Sequence, residues 1–265
     1  MSTDATSPAQ RSPEDAAGGS AGTSAGAAGT SAAGAVRAPE DGRTTSSVAG
    51  VTGPVSEGAH AYASGPGAHP LLLVRHGQTE WSLDGRHTGR TDIPLTEEGE
   101  AQARALRDLL APWDVRAVRV SPLQRARRTA ELAGLGDHLE LVEDPDLVEW
   151  DYGSVEGKST PQVREELGYE WKIFDHGVAP GRTPGELVQD VAARTAHALA
   201  RVRPLLDEGP VCLVAHGHSL RILAATYLGL PPSAAAALEL SPASLSVLGE
   251  NHQVPTVRQW NLSPS

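Results

Sequence analysis

The chain has 265 residues, a formal net charge of -11 and one cysteine. No stretch approaches the roughly 20 consecutive apolar residues of a membrane span, and the first residues lack the basic and apolar regions of a secretory signal, so we expect a soluble cytoplasmic protein. Because nucleic acids and anionic membranes attract positive charge, the acidic balance disfavours both as partners. Cys212 lies within an apolar run, which predicts a buried thiol without a redox role.

Residues 1–69 differ in composition from the rest of the chain. They are mostly Ala, Gly, Ser, Thr and Pro, with almost no large apolar side chains. Such a segment cannot bury enough surface to offset the entropy that is lost on ordering. We therefore predict a disordered tail at 1–69, with a docking or regulatory segment as the alternative, and one folded domain at 70–265.

Short apolar runs predict the strands. The run Leu71-Leu72-Leu73-Val74 is typical of a strand that is buried on both faces. The strands are predicted, in chain order, at 71–74, 117–120, 139–142, 211–215, 245–248 and 257–260, the last two at the edge of the sheet.

Helical periodicity and capping residues predict the helices. Thr96, followed by two glutamates, predicts a helix start, since hydroxyl and acidic side chains stabilise the first turn. Further helices are predicted at 121–133, where Ser121 and Pro122 supply an N-cap and a first-turn proline, and at 183–208 and 220–227. Strands that alternate with helices predict an α/β fold, a three-layer α/β/α sandwich with a largely parallel central sheet.

A histidine-glycine pair follows two of the strongest strand candidates. His76-Gly77 comes directly after the first strand, and His216-Gly217 comes after the strand at 211–215. Ligands of open α/β sheets bind beyond the carboxyl ends of the strands. A single histidine there is weak evidence, but two at equivalent places, one of them preceded by Arg75, predict a shared site.

Five motifs in this order resemble those of the histidine phosphatase superfamily. They cover essentially the whole folded region and lie at 75–81 (RHGQTEW), 89–96 (GRTDIPLT), 121–126 (SPLQRA), 149–153 (EWDYG) and 215–221 (AHGHSLR). The resemblance implies a phosphoglycerate-mutase-like sandwich and hydrolysis of phosphomonoesters through a phosphohistidine, with no cofactor and no metal.

The resemblance also implies a role for each of five catalytic residues. His76 matches the nucleophile, whose neutral imidazole can attack phosphorus. Arg75 and Arg125 match the two arginines that clamp the phosphoryl group, because planar guanidinium groups suit phosphate oxygens. His216 matches the second histidine, which donates to the phosphoryl oxygens, and Glu149 matches the proton donor to the leaving alkoxide.

Ten further residues of these motifs are candidates for substrate binding. For Trp150 and Tyr152, packing in the core is an equally good interpretation. The candidates are Gly77, Gln78, Thr79, Ser82, Thr88, Gly89, Trp150, Tyr152, Gly217 and His218.

Three functions of different class are consistent with the resemblance. A phosphoglycerate mutase is disfavoured, because Trp150 stands where mutases carry an arginine, and the stretch 156–183 contains only Arg164 and Arg182 as arginines. An inactive binding module is disfavoured because all five catalytic residues are present. The segments Trp81-Ser82, Arg86-His87-Thr88-Gly89 and Asp175-His176-Gly177, together with the last two motifs, resemble those of bacterial acid phosphatases and fungal sedoheptulose-bisphosphatases. We expect a small phosphorylated substrate, a sugar phosphate above all, and leave a homodimer open.

Overall fold

Six strands form one sheet within residues 69–264, the part of the chain that the computed structural model describes. The predicted tail, apart from His69, lies outside these residues. The strands are β1 Leu71–Arg75, β2 Ala117–Val120, β3 Leu141–Glu143, β4 Val211–Ala215, β5 Leu245–Asn251 and β6 Val254–Leu262.

The sheet has the order β3-β2-β4-β1-β5-β6. β3, β2, β4 and β1 are mutually parallel, and β5 runs antiparallel to both β1 and β6. β5 is therefore an internal strand, and the prediction that it lies at the edge is wrong, whereas β6 does form an edge. β5 begins with five consecutive buried residues, because its two faces contribute to the two core layers.

Helices cover both faces of the sheet. The α-helices are α1 Glu80–Leu83, α2 Glu97–Leu110, α3 Gln124–Leu132, α4 Thr160–Leu167, α5 Ile173–His176, α6 Val188–Val202 and α7 Gly217–Tyr227, and short 3₁₀ segments lie at Pro145–Leu147, Gly153–Val155, Arg203–Asp207 and Pro232–Ala237. Between residues 69 and 264 no helix combines the length and the apolar composition that crossing a bilayer demands.

Alternate side chains of the central strands define the two core layers. Leu72 and Val74 pack with residues of α2 and α3 on one face, whereas Leu71 and Leu73 pack with residues of α6 and α7 on the other. This alternation follows from the two-residue period of a strand. The predicted α/β/α sandwich is thereby confirmed. Cys212 lies in the first layer, where burial raises the pKa of its thiol to about 12.

α3 begins three residues later than the sequence predicts. Ser121 was expected to cap it, but Ser121 is fully buried and its backbone N–H donates to the carbonyl of Val214 in β4. The carboxylate of Asp92 instead accepts from the N–H of Gln124 at 2.9 Å. The first turn of α3 is thus stabilised by a residue that is distant in the sequence.

α6 begins at Val188 and not at Thr183. Gly185 has a positive φ of 82°, which helices do not allow, and the side chain of Asp190 accepts from the N–H of Leu187 at 2.8 Å. At the other end Pro204 converts the chain to a 3₁₀ segment, so α6 stops at Val202 and the predicted end at Glu208 is wrong.

Candidate active site

The two strand-end histidines lie side by side. β1 and β4 are adjacent and parallel, with Arg75 opposite Ala215, and the N–H of His76 donates to the carbonyl of Ala215 at 3.0 Å. The imidazole centroids of His76 and His216 are 5.1 Å apart. The expected shared position at the carboxyl edge of the sheet is confirmed.

His76 is held as a neutral imidazole with one defined tautomer. Its Nδ1 lies 2.7 Å from the carbonyl oxygen of Gly77. Because a carbonyl only accepts, Nδ1 carries the proton, and the lone pair of Nε2 is left free. Burial, together with the charges of Arg125 and Arg75, holds the pKa of His76 well below its usual value near 6.5. A buried, unprotonated ring nitrogen is what nucleophilic attack requires.

His216 uses both ring nitrogens in contacts with the protein. The Nε–H of Arg125 donates to its Nδ1 at 3.1 Å, which places the proton on Nε2, and Nε2–H donates to the hydroxyl of Ser121 at 2.7 Å. Burial and the charge of Arg125 lower the pKa of His216 well below its usual value. Ser121 is a residue of this site that the sequence analysis assigned only to helix capping.

Arg125 is fully buried and organises the loop after α1. Besides its contact with His216, its guanidinium donates to the carbonyls of Thr88, Gly89 and Thr91 at 2.9–3.2 Å. Burial lowers the pKa of Arg125. Most of its donors are therefore occupied by backbone oxygens, and its role as a clamp on the phosphoryl group stays a prediction.

Arg75 has a donor that no described group satisfies. Its Nη1 donates to the carbonyl of Leu240, but its Nε is buried and has no hydrogen-bond partner between residues 69 and 264. Burial lowers the pKa of Arg75. A buried N–H without an acceptor is costly, and an anionic oxygen bound in the adjacent cavity would satisfy it.

Glu149 is buried beside the start of α7. Its Oε1 accepts from the N–H groups of Trp150 and Ser219, both at 2.8 Å, and its Oε2 accepts from the N–H of His218 at 2.9 Å. Two of these donors belong to the first turn of α7, where the helix dipole favours an acidic group. The carboxyl group is therefore fixed in orientation.

A cavity of about 190 Å³ brings together three of the five predicted catalytic residues, whereas Arg125 and His216 lie outside its lining. His76, Arg75 and Glu149 line it, as do five of the ten candidates for substrate binding. The complete lining is Arg75, His76, Ser82, Gly85, Arg86, His87, Thr88, Glu149, Tyr152, Gly217, His218, Arg221 and Leu240.

Three candidates from the first motif lie outside this lining. Gly77 packs so closely on Gly99 that an added Cβ would lie 2.3 Å from its carbonyl oxygen. Gln78 accepts from the hydroxyl of Thr96 and faces a separate groove, and the buried Thr79 caps α1. Side chains adjacent in sequence point in different directions, so only some residues of a loop can reach one cavity.

Gly89 and Trp150 also lie outside the lining. The N–H of Gly89 donates to the buried carboxylate of Glu156 at 3.1 Å, which fixes the loop. Trp150 is fully buried, and its indole N–H donates to the carbonyl of Glu186 at 2.7 Å. Of the two interpretations of Trp150, packing is the one that fits this position.

Three polar aromatic side chains also line the cavity: His87, Tyr152 and His218. The hydroxyl of Tyr152 lies 2.6 Å from Nδ1 of His218, and the ring centroid of His87 is 5.0 Å from that of Tyr152. Burial lowers the pKa of His87 to about 4, lowers the pKa of His218 well below its usual value and raises the pKa of Tyr152 well above 10.0. All three are therefore neutral near pH 7.

His87, Arg86 and Arg221 line the cavity but were not among the candidates. Arg86 and His87 belong to the segment Arg86-His87-Thr88-Gly89, and Arg221 ends the last motif. Their proximity to those motifs was the signal in the sequence that could have identified them as site residues. Among the described residues, no group of three or more His, Cys, Asp or Glu side chains is arranged to hold a metal ion.

The fold and this cavity together define a class: an α/β protein whose strand-end histidine, arginine and carboxylate line one cavity. A family model for the histidine phosphatase superfamily (branch 1) matches residues 71–263, and the chain belongs to that superfamily. The resemblance inferred from the five motifs is thereby confirmed.

The chain is similar to curated proteins with three different activities. An acid phosphatase of Mycobacterium tuberculosis is 37% identical over 190 residues, 70% of this chain and 89% of the relative. Sedoheptulose 1,7-bisphosphatase of Saccharomyces cerevisiae is 36% identical over 186 residues, 60% of this chain and 67% of the relative. A probable phosphoglycerate mutase of Cronobacter sakazakii is 36% identical over 177 residues, 66% of this chain and 82% of the relative.

A solved structure supports the same fold. Mycobacterial glucosyl-3-phosphoglycerate phosphatase, solved with VO3, superposes with a TM-score of 0.66 at 30% identity, over 74% of this chain and 100% of that one. Phosphatases of phosphorylated small molecules thus occur among both the sequence relatives and the structural neighbours.

Proposed function

We propose that this protein is a phosphomonoesterase that hydrolyses small phosphorylated metabolites, sugar phosphates above all, through a phosphohistidine on His76. The observation that carries the proposal is the tautomer of His76: the bond from Nδ1–H to Gly77 leaves the Nε2 lone pair free, and His76 lines the same cavity as Arg75 and Glu149. Nucleophile, cation and carboxyl group are the three parts that covalent phosphoryl transfer needs.

The first half-reaction forms the phosphoenzyme. Nε2 of His76 attacks phosphorus, and the bond from phosphorus to the ester oxygen breaks. The carboxyl group of Glu149 gives its proton to the departing alkoxide, which leaves as an alcohol. The unpartnered Nε–H of Arg75 donates to a phosphoryl oxygen and stabilises the negative charge of the transition state.

The second half-reaction regenerates the enzyme. The carboxylate of Glu149 takes a proton from a water molecule, whose oxygen attacks phosphorus as the P–N bond breaks. Inorganic phosphate leaves and His76 is neutral again. Nε2 takes the electron pair of the P–N bond, and Nδ1–H keeps its bond to the carbonyl of Gly77. Because the pKa of His76 is low, its neutral imidazole is a good leaving group.

The size of the cavity supports a small substrate. Its volume of about 190 Å³ is below the roughly 300–1,000 Å³ of sites for drug-sized ligands, so it suits a phosphoryl group with a short alcohol. The relatives named as a sedoheptulose bisphosphatase and a glucosyl-3-phosphoglycerate phosphatase support carbohydrate phosphates as the leading class.

We propose that no metal takes part. The cationic groups on the lining are Arg75, Arg86 and Arg221, and arginines can supply the positive charge that magnesium supplies in phosphoryl-transfer sites of other designs. The test is a phosphate-release screen of the purified protein against sugar phosphates, phosphoglycerates and nucleotides, each with and without EDTA. Activity on sugar phosphates that EDTA leaves intact is expected. Loss of activity in EDTA that magnesium restores would contradict metal independence.

Phosphoglycerate mutase activity is the second candidate, because several of the similar relatives are named probable phosphoglycerate mutases. A mutase must keep water from the phosphoenzyme while its intermediate reorients, whereas a phosphatase must admit water. Incubation with 3-phosphoglycerate separates the two activities. We expect free phosphate, and formation of 2-phosphoglycerate faster than phosphate release would favour the mutase.

A further inference from the structure

The side of the cavity lined by His87 and His218 carries two hydrogen-bonding atoms that the protein leaves unused. His87 bonds through Nε2 to the hydroxyl of Thr160 at 3.3 Å, and His218 bonds through Nδ1 to Tyr152 at 2.6 Å. Within residues 69–264, Nδ1 of His87 and Nε2 of His218 have no hydrogen-bond partner. Both side chains line the cavity, and their ring centroids are 6.3 Å apart.

The contacts of the two rings make this side rigid. His87 packs edge-on against Trp171 with 5.5 Å between centroids, and His218 packs against Phe174 at 5.3 Å and edge-on against Trp150 at 6.0 Å. Side chains that neighbours fix in one orientation lose little entropy when a ligand binds. The two free nitrogens are therefore preorganised for recognition.

Two arginines of the lining, Arg86 and Arg221, are engaged in part by the protein. Arg86 is paired with Asp84 and lies 3.7 Å from Glu80. Arg221 donates to the carbonyls of Ala235 and Ala236, both at 3.0 Å. Nδ1 of His87 and Nε2 of His218 are thus uncharged hydrogen-bonding atoms beside two arginines that the protein engages only in part.

An uncharged imidazole nitrogen is a donor in one tautomer and an acceptor in the other. A hydroxyl group complements either tautomer, because it both donates and accepts, whereas an anion can only accept. We propose that His87, together with His218, binds neutral hydroxyl groups of the leaving alcohol, and that His87 is a specificity residue for polyol phosphates. This inference rests on the proposed phosphatase function and adds a residue and a chemical class to it.

The test compares two probes that differ in hydroxyl groups alone, glycerol 3-phosphate and propyl phosphate. The readout is the ratio of kcat/KM for the first over the second, and we expect the wild type to prefer glycerol 3-phosphate. His87→Phe keeps an aromatic ring against Tyr152 and Trp171 and removes both ring nitrogens. Because one net hydrogen bond contributes about 0.5–1.5 kcal/mol, the ratio should fall roughly twofold to twelvefold, mainly through KM.

Two variants separate recognition from folding. Thr160→Val removes the structural partner of His87 but leaves Nδ1 in the cavity, so it should keep the wild-type ratio. His87→Gln restores a donor and an acceptor and should recover part of the preference. A wild-type ratio near one, or equal losses on both probes in His87→Phe, would overturn the inference. A wild type that hydrolyses neither probe nor any other phosphomonoester would instead overturn the proposed function.

Discussion

Replacement of His87 by phenylalanine should change how the stability of the protein depends on pH. Burial lowers the pKa of His87 in the folded protein to about 4, from 6.5 for an ordinary histidine. The unfolded chain therefore binds a proton at a higher pH than the folded chain does. Stability from this residue is complete above pH 6.5 and is lost as the pH falls from 6.5 toward 4.

The magnitude follows from the two pKa values. Between about pH 7.5 and about pH 5, protonation of His87 in the unfolded state alone should lower the free energy of unfolding by roughly 2 kcal/mol. Phenylalanine cannot titrate, so His87→Phe should lose about 2 kcal/mol less than the wild type over this range. The other buried histidines contribute to both proteins, and His218, whose pKa the nearby His87 helps to lower, is the one whose contribution changes with the substitution.

The assay is urea unfolding of both proteins at a series of pH values across this range. Thr160→Val is the matched control, because it removes the 3.3 Å contact but keeps the titrating ring, and its pH dependence should follow that of the wild type. A constant offset between wild type and His87→Phe at every pH would refute the reasoning, since it would mean that burial does not hold the ring neutral.

Three further predictions concern the loop after β1 and the catalytic groups. Gly77→Ala should lower the free energy of unfolding by about 1–3 kcal/mol, because its Cβ would lie 2.3 Å from the carbonyl oxygen of Gly99; thermal and urea unfolding measure this. Glu149→Gln should slow phosphoryl transfer from a sugar phosphate far more than from p-nitrophenyl phosphate, because a phenolate scarcely needs a proton; equal single-turnover losses would reject the acid role. Because the pKa of His76 is well below 6.5, the rate of phosphoenzyme formation, corrected for ionisation of the substrate, should not fall as the pH drops through 6.5; a fall there would show a protonated nucleophile.

The strands were the most predictable part of the fold. β1 and β4 are short runs of apolar residues, buried on both faces, and such runs are distinctive in a sequence. Because β1 and β4 are adjacent and parallel, the histidines that follow them had to meet at one edge of the sheet. The core of the site was therefore accessible from the sequence.

The helix starts were harder to predict, because distant residues decide them. At the start of α3, the N–H of Gln124 donates to the carboxylate of Asp92, which lies 32 residues earlier in the chain. The hydroxyl of Ser121 instead accepts from His216. Asp151 accepts from the N–H of Gly185 and the hydroxyl of Thr183, which holds that segment in a loop before α6. Local capping rules contain no information about such contacts.

The contacts on the leaving-group side depend on the direction of each side chain. Gln78 is two residues from His76 but faces another groove, and Trp150 is adjacent to Glu149 but lies in the core. His87 lines the cavity, and in the sequence only its place beside the motif at 89–96 pointed to it. Motifs identify a segment, whereas packing selects which of its residues face the substrate.

The most direct test of the central claim is identification of the phosphorylated residue. The protein is mixed with a ³²P-labelled phosphomonoester, quenched within one turnover and digested for peptide mapping. We expect an acid-labile, base-stable label on the peptide that contains His76, and no label in His76→Ala, which removes the nucleophile but leaves the charged groups of the site in place. Turnover without any labelled intermediate, or substantial hydrolysis by His76→Ala, would contradict the account.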